Sequence, residues 1–202
     1  MKGKVNTSIK DLKLVKERHE AIIDVAISLF QKKGFHQTTT REIAQHAGFS
    51  IGTLYEYIRK KEDVLLLVYD SIEQKVYSPL QALMKKGIYT KRKLITIIDT
   101  YFQLMDQVQE EVIILYQELK SVSDEMRYQI LQKERGLVKM LSNVIKQVNE
   151  KQLTDEKIDL IANNILVQGH MWCFRRWNLH KQYTRTQFTN LQKELLQEQL
   201  FT

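Results

Sequence analysis

The chain has 202 residues, 43% of them hydrophobic and 27% charged, with only one Pro and seven Gly, which excludes a disordered chain and disfavours a sheet with many turns. Its single cysteine, Cys173, excludes an internal disulfide framework, and no apolar run approaches the roughly 20 residues that span a bilayer. Of the formal charge of +7, +6 lies in residues 1–61, so the first third is suited to a polyanion, although a solvated Lys-rich tail would give the same sum.

Residues 1–15 show no clear period and carry Lys2, Lys4, Lys10 and Lys13. They read as a flexible arm, either visiting a DNA minor groove or serving as a solubility tail. No apolar segment follows these lysines, so the expectation is a cytoplasmic chain without a secretory signal. Ile22, Ala26, Leu29 and Phe30 then mark one face of a helix that should stop at Gly34, with Lys32 and Lys33 in its last turn.

Thr39 and Glu42 have the spacing of a capping box. They open a short predicted helix over 40–47, closed by Gly48. Ser50 can cap a second, over 51–58. Two short helices joined by Ala47-Gly48-Phe49-Ser50 make a helix-turn-helix. Ala44 suits the close crossing of the two helices and Gly48 the tight turn. Ile43, Ala47, Phe49 and Leu54 are left for a small core. Ser50, Gly52, Thr53, Tyr55 and Tyr57 are left for an outer surface.

Lys61-Glu62-Asp63 opens a longer helix to about residue 77, which Pro79 interrupts or bends. Further helices are predicted over 91–108, 110–120, 123–151, 155–178 and 185–200. The breaks between them fall at Lys86-Gly87, Ser121 to Asp124, Gln152 to Asp155, and His180 to Thr184. No strand pattern competes. Cys173 lies in an apolar, aromatic run and reads as a buried, reduced thiol.

The run from Thr39 to Leu65, TTREIAQHAGFSIGTLYEYIRKKEDVL, is long and fixed in spacing. With Ala26, Leu29, Phe30, Gly34 and Phe35 before it, it resembles the TetR/AcrR family of bacterial repressors, strongly over about 18–70. Phe49 stands where a smaller Val is usual, and Ile58 where Phe is usual. The resemblance implies an all-α fold. An N-terminal three-helix DNA-binding domain (1–65, with the arm) would precede a larger helical domain for effector binding and dimerisation (66–202).

The resemblance points to Ser50, Gly52, Thr53, Tyr55 and Tyr57 as DNA-facing, with Thr40 and Lys61 at helix starts that can receive phosphates. Lys61 resembles the family's phosphate-binding lysine, and Arg41 is the candidate reader of guanine. The implied state is a homodimer on near-palindromic double-stranded DNA, released by a small-molecule effector. The last two long helices of each subunit would form the dimer interface. The candidate stripes are Ile158, Ile161, Ala162, Ile165 and Gly169, then Phe188, Leu191, Leu195 and Leu200, which can equally pack within their own subunit.

Tyr101, Met105, Tyr116, Trp172, Arg175 and Arg176 are the candidate effector residues. Arg175 and Arg176 lie among aromatics and can grip the anionic head of a fatty acid or acyl-coenzyme A. They can instead complement a helix C-terminus. No phosphate loop, nucleophile motif or metal-ligand cluster is visible, and the five histidines are scattered. The reading is therefore a regulator rather than an enzyme, with no cofactor, no metal and no membrane partner. The alternative is a helical adaptor that binds protein alone.

Overall fold

The computed structural model describes residues 11–85 and 87–201, all of whose regular elements are helical. Lys2, Lys4, Lys10 and Lys86, named in the sequence reading, lie outside the described residues. The chain divides into two compact units. One holds the residues up to Ile72 together with Ile113–Gln129, and the other holds Glu73–Val112 and the residues from Ile130 onward.

In the first unit, α1 runs Leu12–Lys33, α2 Thr40–His46, α3 Ile51–Tyr55 and α4 Glu62–Ile72. Helix α1 starts earlier than its apolar period suggests. The Asp11 carboxylate accepts from the amides of Lys13 and Leu14 at 3.0 and 3.1 Å, an N-cap that brings residues 12–15 into the helix rather than the arm. The predicted stripe is buried: Ile22 and Ala26 are fully so, and Leu29 and Phe30 nearly so. Burying one such Ile or Leu stabilises by about 1.5–3 kcal/mol before entropy is counted. Gly34, at φ 83°, ends the helix with its amide donating to the Phe30 carbonyl at 2.8 Å.

The capping box forms as its spacing predicts. The Glu42 amide donates to the Thr39 hydroxyl at 3.2 Å, and the Thr39 amide donates to the Glu42 carboxylate at 2.9 Å. Gly48 makes the turn at φ 72°. Helix α3 is shorter than predicted, ending at Tyr55 rather than residue 58. Tyr57 and Ile58 turn into the core, 2% and 1% exposed. The buried Asp63 carboxylate holds the following loop by accepting from the amides of Arg59 and Lys60 at 2.8 and 3.2 Å.

The first unit also takes in the end of α7 (Gln109–Glu118), a 3₁₀ turn at Leu119–Ser121 and the start of α8 (Asp124–Val148). The second opens with a π-helical turn, Glu73–Tyr77, and α5, Ser78–Lys85. Pro79 does not stop the chain from being helical. It is the second residue of α5, and the wider turn before it gives the pyrrolidine ring room against the preceding carbonyls.

Helix α6 (Lys91–Gln107) packs on α9 (Asp155–Phe174) and on α11 (Arg185–Leu200). Its Leu94, Ile97, Ile98, Tyr101, Phe102 and Met105 form the centre of the second unit's core. The helix predicted over 155–178 breaks at Arg175 and restarts as α10, Arg176–Gln182. The Arg175 amide still donates to Met171 at 2.9 Å, while its carbonyl accepts from Asn178 and Leu179 to begin the new helix.

Most of the two candidate interface stripes packs within the chain's own fold, the alternative that the sequence leaves open. Ile158, Ala162, Ile165 and Gly169 are buried within the chain's own fold, as are Phe188 and Leu200. Leu191 and Leu195 stay outside, 45% and 53% exposed, and on α9 the outward apolar residues are Leu160 and Val167. The stripe that the sequence shows on α9 is the one its own core uses.

Candidate nucleic-acid interface

The site is built on α2, the turn and α3. Leu54 is the buried anchor of α3, with no exposure, and Ile43 and Ala44 are its counterparts on α2. With that face fixed, period 3.6 forces Ser50, Ile51, Gly52 and Tyr55 outward, all exposed, with Thr53 half-buried. Ser50 caps α3 by accepting from the Thr53 amide at 3.0 Å, and the two hydroxyls lie 2.9 Å apart. They form one polar edge at the start of the helix.

Gly52 has ordinary helical geometry. A Cβ built on it would meet only the Ser50 hydroxyl oxygen, at 3.6 Å. The fold therefore does not require glycine here, and Ala would favour the helix by about 1 kcal/mol. Glycine leaves the backbone bare at this point of α3.

Tyr55 is half exposed and its hydroxyl lies 3.3 Å from that of Thr40. The end of α3 and the start of α2 thus present two hydroxyls together. Arg41, one residue on, is exposed. Tyr57 is a correction to the sequence reading. It is 2% exposed, and its ring meets His19 of α1 edge to face at 5.9 Å. It supports the motif from behind and leaves its ring no surface for DNA.

Lys61 lies behind the α1–α2 turn. Its ammonium donates to the carbonyls of Phe35 and His36 at 2.8 and 3.1 Å and sits 4.4 Å from the Phe35 ring centroid. Two of its three N–H donors are used within the protein, leaving one for an outside anion. A second clamp, absent from the sequence reading, joins α1 to α2. Lys33 donates to Glu42 at 2.5 Å. That ammonium, with the Thr39 amide and hydroxyl, lowers the Glu42 carboxyl to about 2.

The expected effector residues are dispersed. Tyr101, Met105 and Trp172 meet where α6 packs on α9, each at most 3% exposed. The Tyr101 hydroxyl donates to the Leu166 carbonyl at 2.8 Å and the Trp172 indole to Asp106 at 2.7 Å. Tyr116 lies in the first unit. The two arginines differ: Arg176 is paired with Glu110, while Arg175 is exposed with its guanidinium 5.4 Å over the Trp177 ring.

Residues 22–68 match the family of bacterial regulatory proteins of the tetR type. The chain is similar to the HTH-type transcriptional regulator HbdR of Aromatoleum sp. (strain CIB). They are 25% identical over 203 residues, covering 98% of this chain and 87% of that protein. Its fold is similar to that of the transcriptional regulator FadR from Bacillus subtilis in complex with stearoyl-CoA, with a TM-score of 0.67, 24% identity, and coverage of 88% of this chain and 97% of that one. It is also similar to that of AibR in complex with isovaleryl coenzyme A and operator DNA, with a TM-score of 0.68, 21% identity and coverage of 88% and 97%. Among the described residues no helix is long and apolar enough to cross a membrane. The segment that holds the capped helix-turn-helix is thus of the tetR type of bacterial regulatory proteins, and the chain as a whole is similar to transcriptional regulators of that type.

Proposed function

We propose that the protein represses transcription by binding a near-palindromic operator as a homodimer, and releases it when an amphipathic acyl effector binds its second unit. The observation that carries the DNA half is the sidedness of α3. Leu54 is fully buried, while Ser50, Gly52 and Tyr55 are exposed and nearly free of charge. A helix that only met water would more often carry Glu and Lys there. In the major groove, Ser50 and Thr53 offer hydroxyls and Thr53 also offers a methyl for thymine. Gly52 lets the backbone come close. The adjacent hydroxyls of Thr40 and Tyr55 suit one phosphate, Lys61 adds its remaining N–H, and Arg41 reads guanine.

One such motif buries too little surface to be selective, so a two-fold pair reading half-sites one turn apart, about 34–36 Å, is the economical solution. The outward Leu160, Val167, Leu191 and Leu195 supply its seam. The effector half is supported by two similar folds that carry acyl-coenzyme A ligands. The second unit's core, built from Met105, Tyr101 and Trp172, can repack around an acyl chain. Arg175 is the cation left facing solvent, since Arg176 is spent on Glu110.

The test is binding to fragments of the protein's own genomic neighbourhood, with Thr53→Ala and Gly52→Leu beside the wild type and acyl-coenzyme A compounds added to the bound complex. The expected result is tight, salt-sensitive binding to one near-palindromic segment, weakened in both variants and reversed by one chain length of effector. Equal affinity for operator and random DNA would overturn the sequence-reading role of α3. A complex unmoved by every acyl-coenzyme A would overturn the effector class.

A further inference from the structure

Phe49, an aromatic side chain in the turn of the helix-turn-helix, is only partly taken up by the small core. Phe49 closes the turn, its amide donating to the Ala44 carbonyl at 2.8 Å, and directly precedes Ser50, the cap of α3. It is only half-buried, unlike Ile43, Ala44 and Leu54. The part of the ring that stays accessible lies beside the first turn of α3, where a partner can reach it. The structure gives one: the Arg18 guanidinium of α1 lies 4.8 Å from the Phe49 ring centroid.

Arg18 differs from the other cations at this end of α1. Lys13 is within 3.9 Å of Glu17 and Lys16 within 3.8 Å of Glu20, each one turn apart. Arg18 has no carboxylate partner among the described residues, and its contact is the ring. A guanidinium on an aromatic face keeps its N–H edge free, because the ring takes up the plane and not the donors. The base of α1 is meanwhile fixed, since neighbouring His19 packs on Tyr57 just beyond α3.

We propose that Phe49 is a positioning residue that holds Arg18 as a phosphate clamp, so that α1 adds a backbone contact beside the groove entered by α3. The chemistry is that of a bidentate anion site: the N–H edge donates to the oxygens of a DNA phosphate while the ring restricts the side chain's rotation. The proposal rests on the DNA-binding reading above and adds to it a contact that carries no sequence information. A phosphate contact weakens all sequences alike when lost, whereas a base contact does not.

The experiment measures affinity against salt for the full-length protein, on the operator fragment and on random duplex of equal length. Arg18→Ala, Arg18→Lys and Phe49→Val are compared with the wild type, and each variant's helix content and unfolding midpoint are checked. Each lost phosphate contact should reduce the slope of log affinity against log salt by about 0.9 per protomer. We expect that reduction in Arg18→Ala, with the same fold loss on operator and random DNA. Arg18→Lys should keep part of the slope, having charge but poorer stacking. Phe49→Val should fall between Arg18→Ala and the wild type, with its arginine intact.

A wild-type slope in Arg18→Ala would overturn the clamp. A reduced slope in Arg18→Ala with an unchanged slope in Phe49→Val would overturn the positioning role of the ring. A loss confined to the operator would overturn the phosphate assignment. If the wild type bound neither DNA with any salt dependence, the DNA-binding reading itself would fail, and the failure would be visible before any variant was compared.

Discussion

The phenol ring of Tyr101 occupies the space that a side chain on Gly169 would need. A Cβ built on Gly169 would lie 2.5 Å from Tyr101 Cε1 and from its hydroxyl oxygen. From that seat the hydroxyl reaches the Leu166 carbonyl, 2.8 Å away, on the same turn of α9. The glycine therefore sets how closely α6 and α9 approach, and its small size is used inside the chain rather than between subunits.

Gly169→Ala should therefore destabilise the protein, although Ala is the better helix former by about 1 kcal/mol. Overpacking of this kind costs about 1–3 kcal/mol, and Tyr101 is rigid and buried, so the clash should win. Chemical denaturation measures the difference. In a Tyr101→Leu background the same glycine change should cost less, giving a coupling well above the few tenths expected of independent sites. Additive effects would show that the two residues do not limit each other.

The α2 capping box gives a pH prediction. The Glu42 carboxyl is lowered to about 2, first by the Lys33 ammonium and then by the Thr39 amide and hydroxyl. A carboxylate with a depressed folded pKa contributes stability above its unfolded value, here 4.5, and loses it as pH falls through the folded value. The unfolding midpoints of wild type and Glu42→Gln should differ at pH 6 and converge between pH 4.5 and 2. Thr39→Ala should cost about 1 kcal/mol near neutrality. A gap between wild type and Glu42→Gln that stays constant to pH 2 would exclude the ion pair as its source.

Two histidines act in a different window. Burial lowers the pKa of His19, and also that of His170, where Glu134 opposes the shift. Each ring stays neutral in the fold at pH values where the unfolded chain takes up a proton. Stability should be full above the ordinary value of 6.5 and fall as the pH drops below it, until the folded forms titrate. Unfolding midpoints between pH 7.5 and 5.5 should show this slope, reduced in His19→Gln and in His170→Gln. An unchanged slope in both variants would place the titration elsewhere.

Cys173 should be chemically silent in the folded protein. It is fully buried, and burial, with Asp106 nearby, raises its thiol to about 12. The thiolate is the reactive form. An aromatic disulfide reagent at pH 8 should titrate no thiol in native protein and one after denaturation. Rapid reaction of native protein would mean that the α6–α9 contact opens readily.

The sequence is most legible where structure is decided locally. Thr39, Glu42, Gly34, Gly48 and Ser50 act within four residues of their partners, and each does what its type and spacing imply. What escapes is decided by distant contacts. Tyr57 looks like a surface residue until His19, 38 positions earlier in the sequence, is placed against it. The break at Arg175 has no Pro or Gly to announce it, and the widened turn at Glu73–Tyr77 is seen only through Pro79. The α9 stripe is a true period, but a period says that a face is buried and not by which partner. Phe49 is legible as an unusual bulk at its position, while its partner Arg18 belongs to another helix.

The face that α9 leaves outward gives the last prediction. Leu160 and Val167 are seven residues apart on α9, and Leu191 and Leu195 four apart on α11, so each pair lies on one side of its helix. They are 60%, 40%, 45% and 53% exposed. Scattered single leucines at a surface are ordinary, but two aligned pairs on helices of one unit suit a four-helix seam with a second copy. Leu160→Asp and Leu195→Asp should each place charges face to face across that seam and convert a dimer to monomer in sedimentation at micromolar concentration. Helix content should be retained, because neither side chain belongs to the monomer's core. The same variants should lose tight operator binding while keeping weak, salt-sensitive binding to half-sites, since each head is intact but no longer paired. A wild type that sediments as a monomer on its own, or variants that remain dimeric with full operator affinity, would remove this face from the interface.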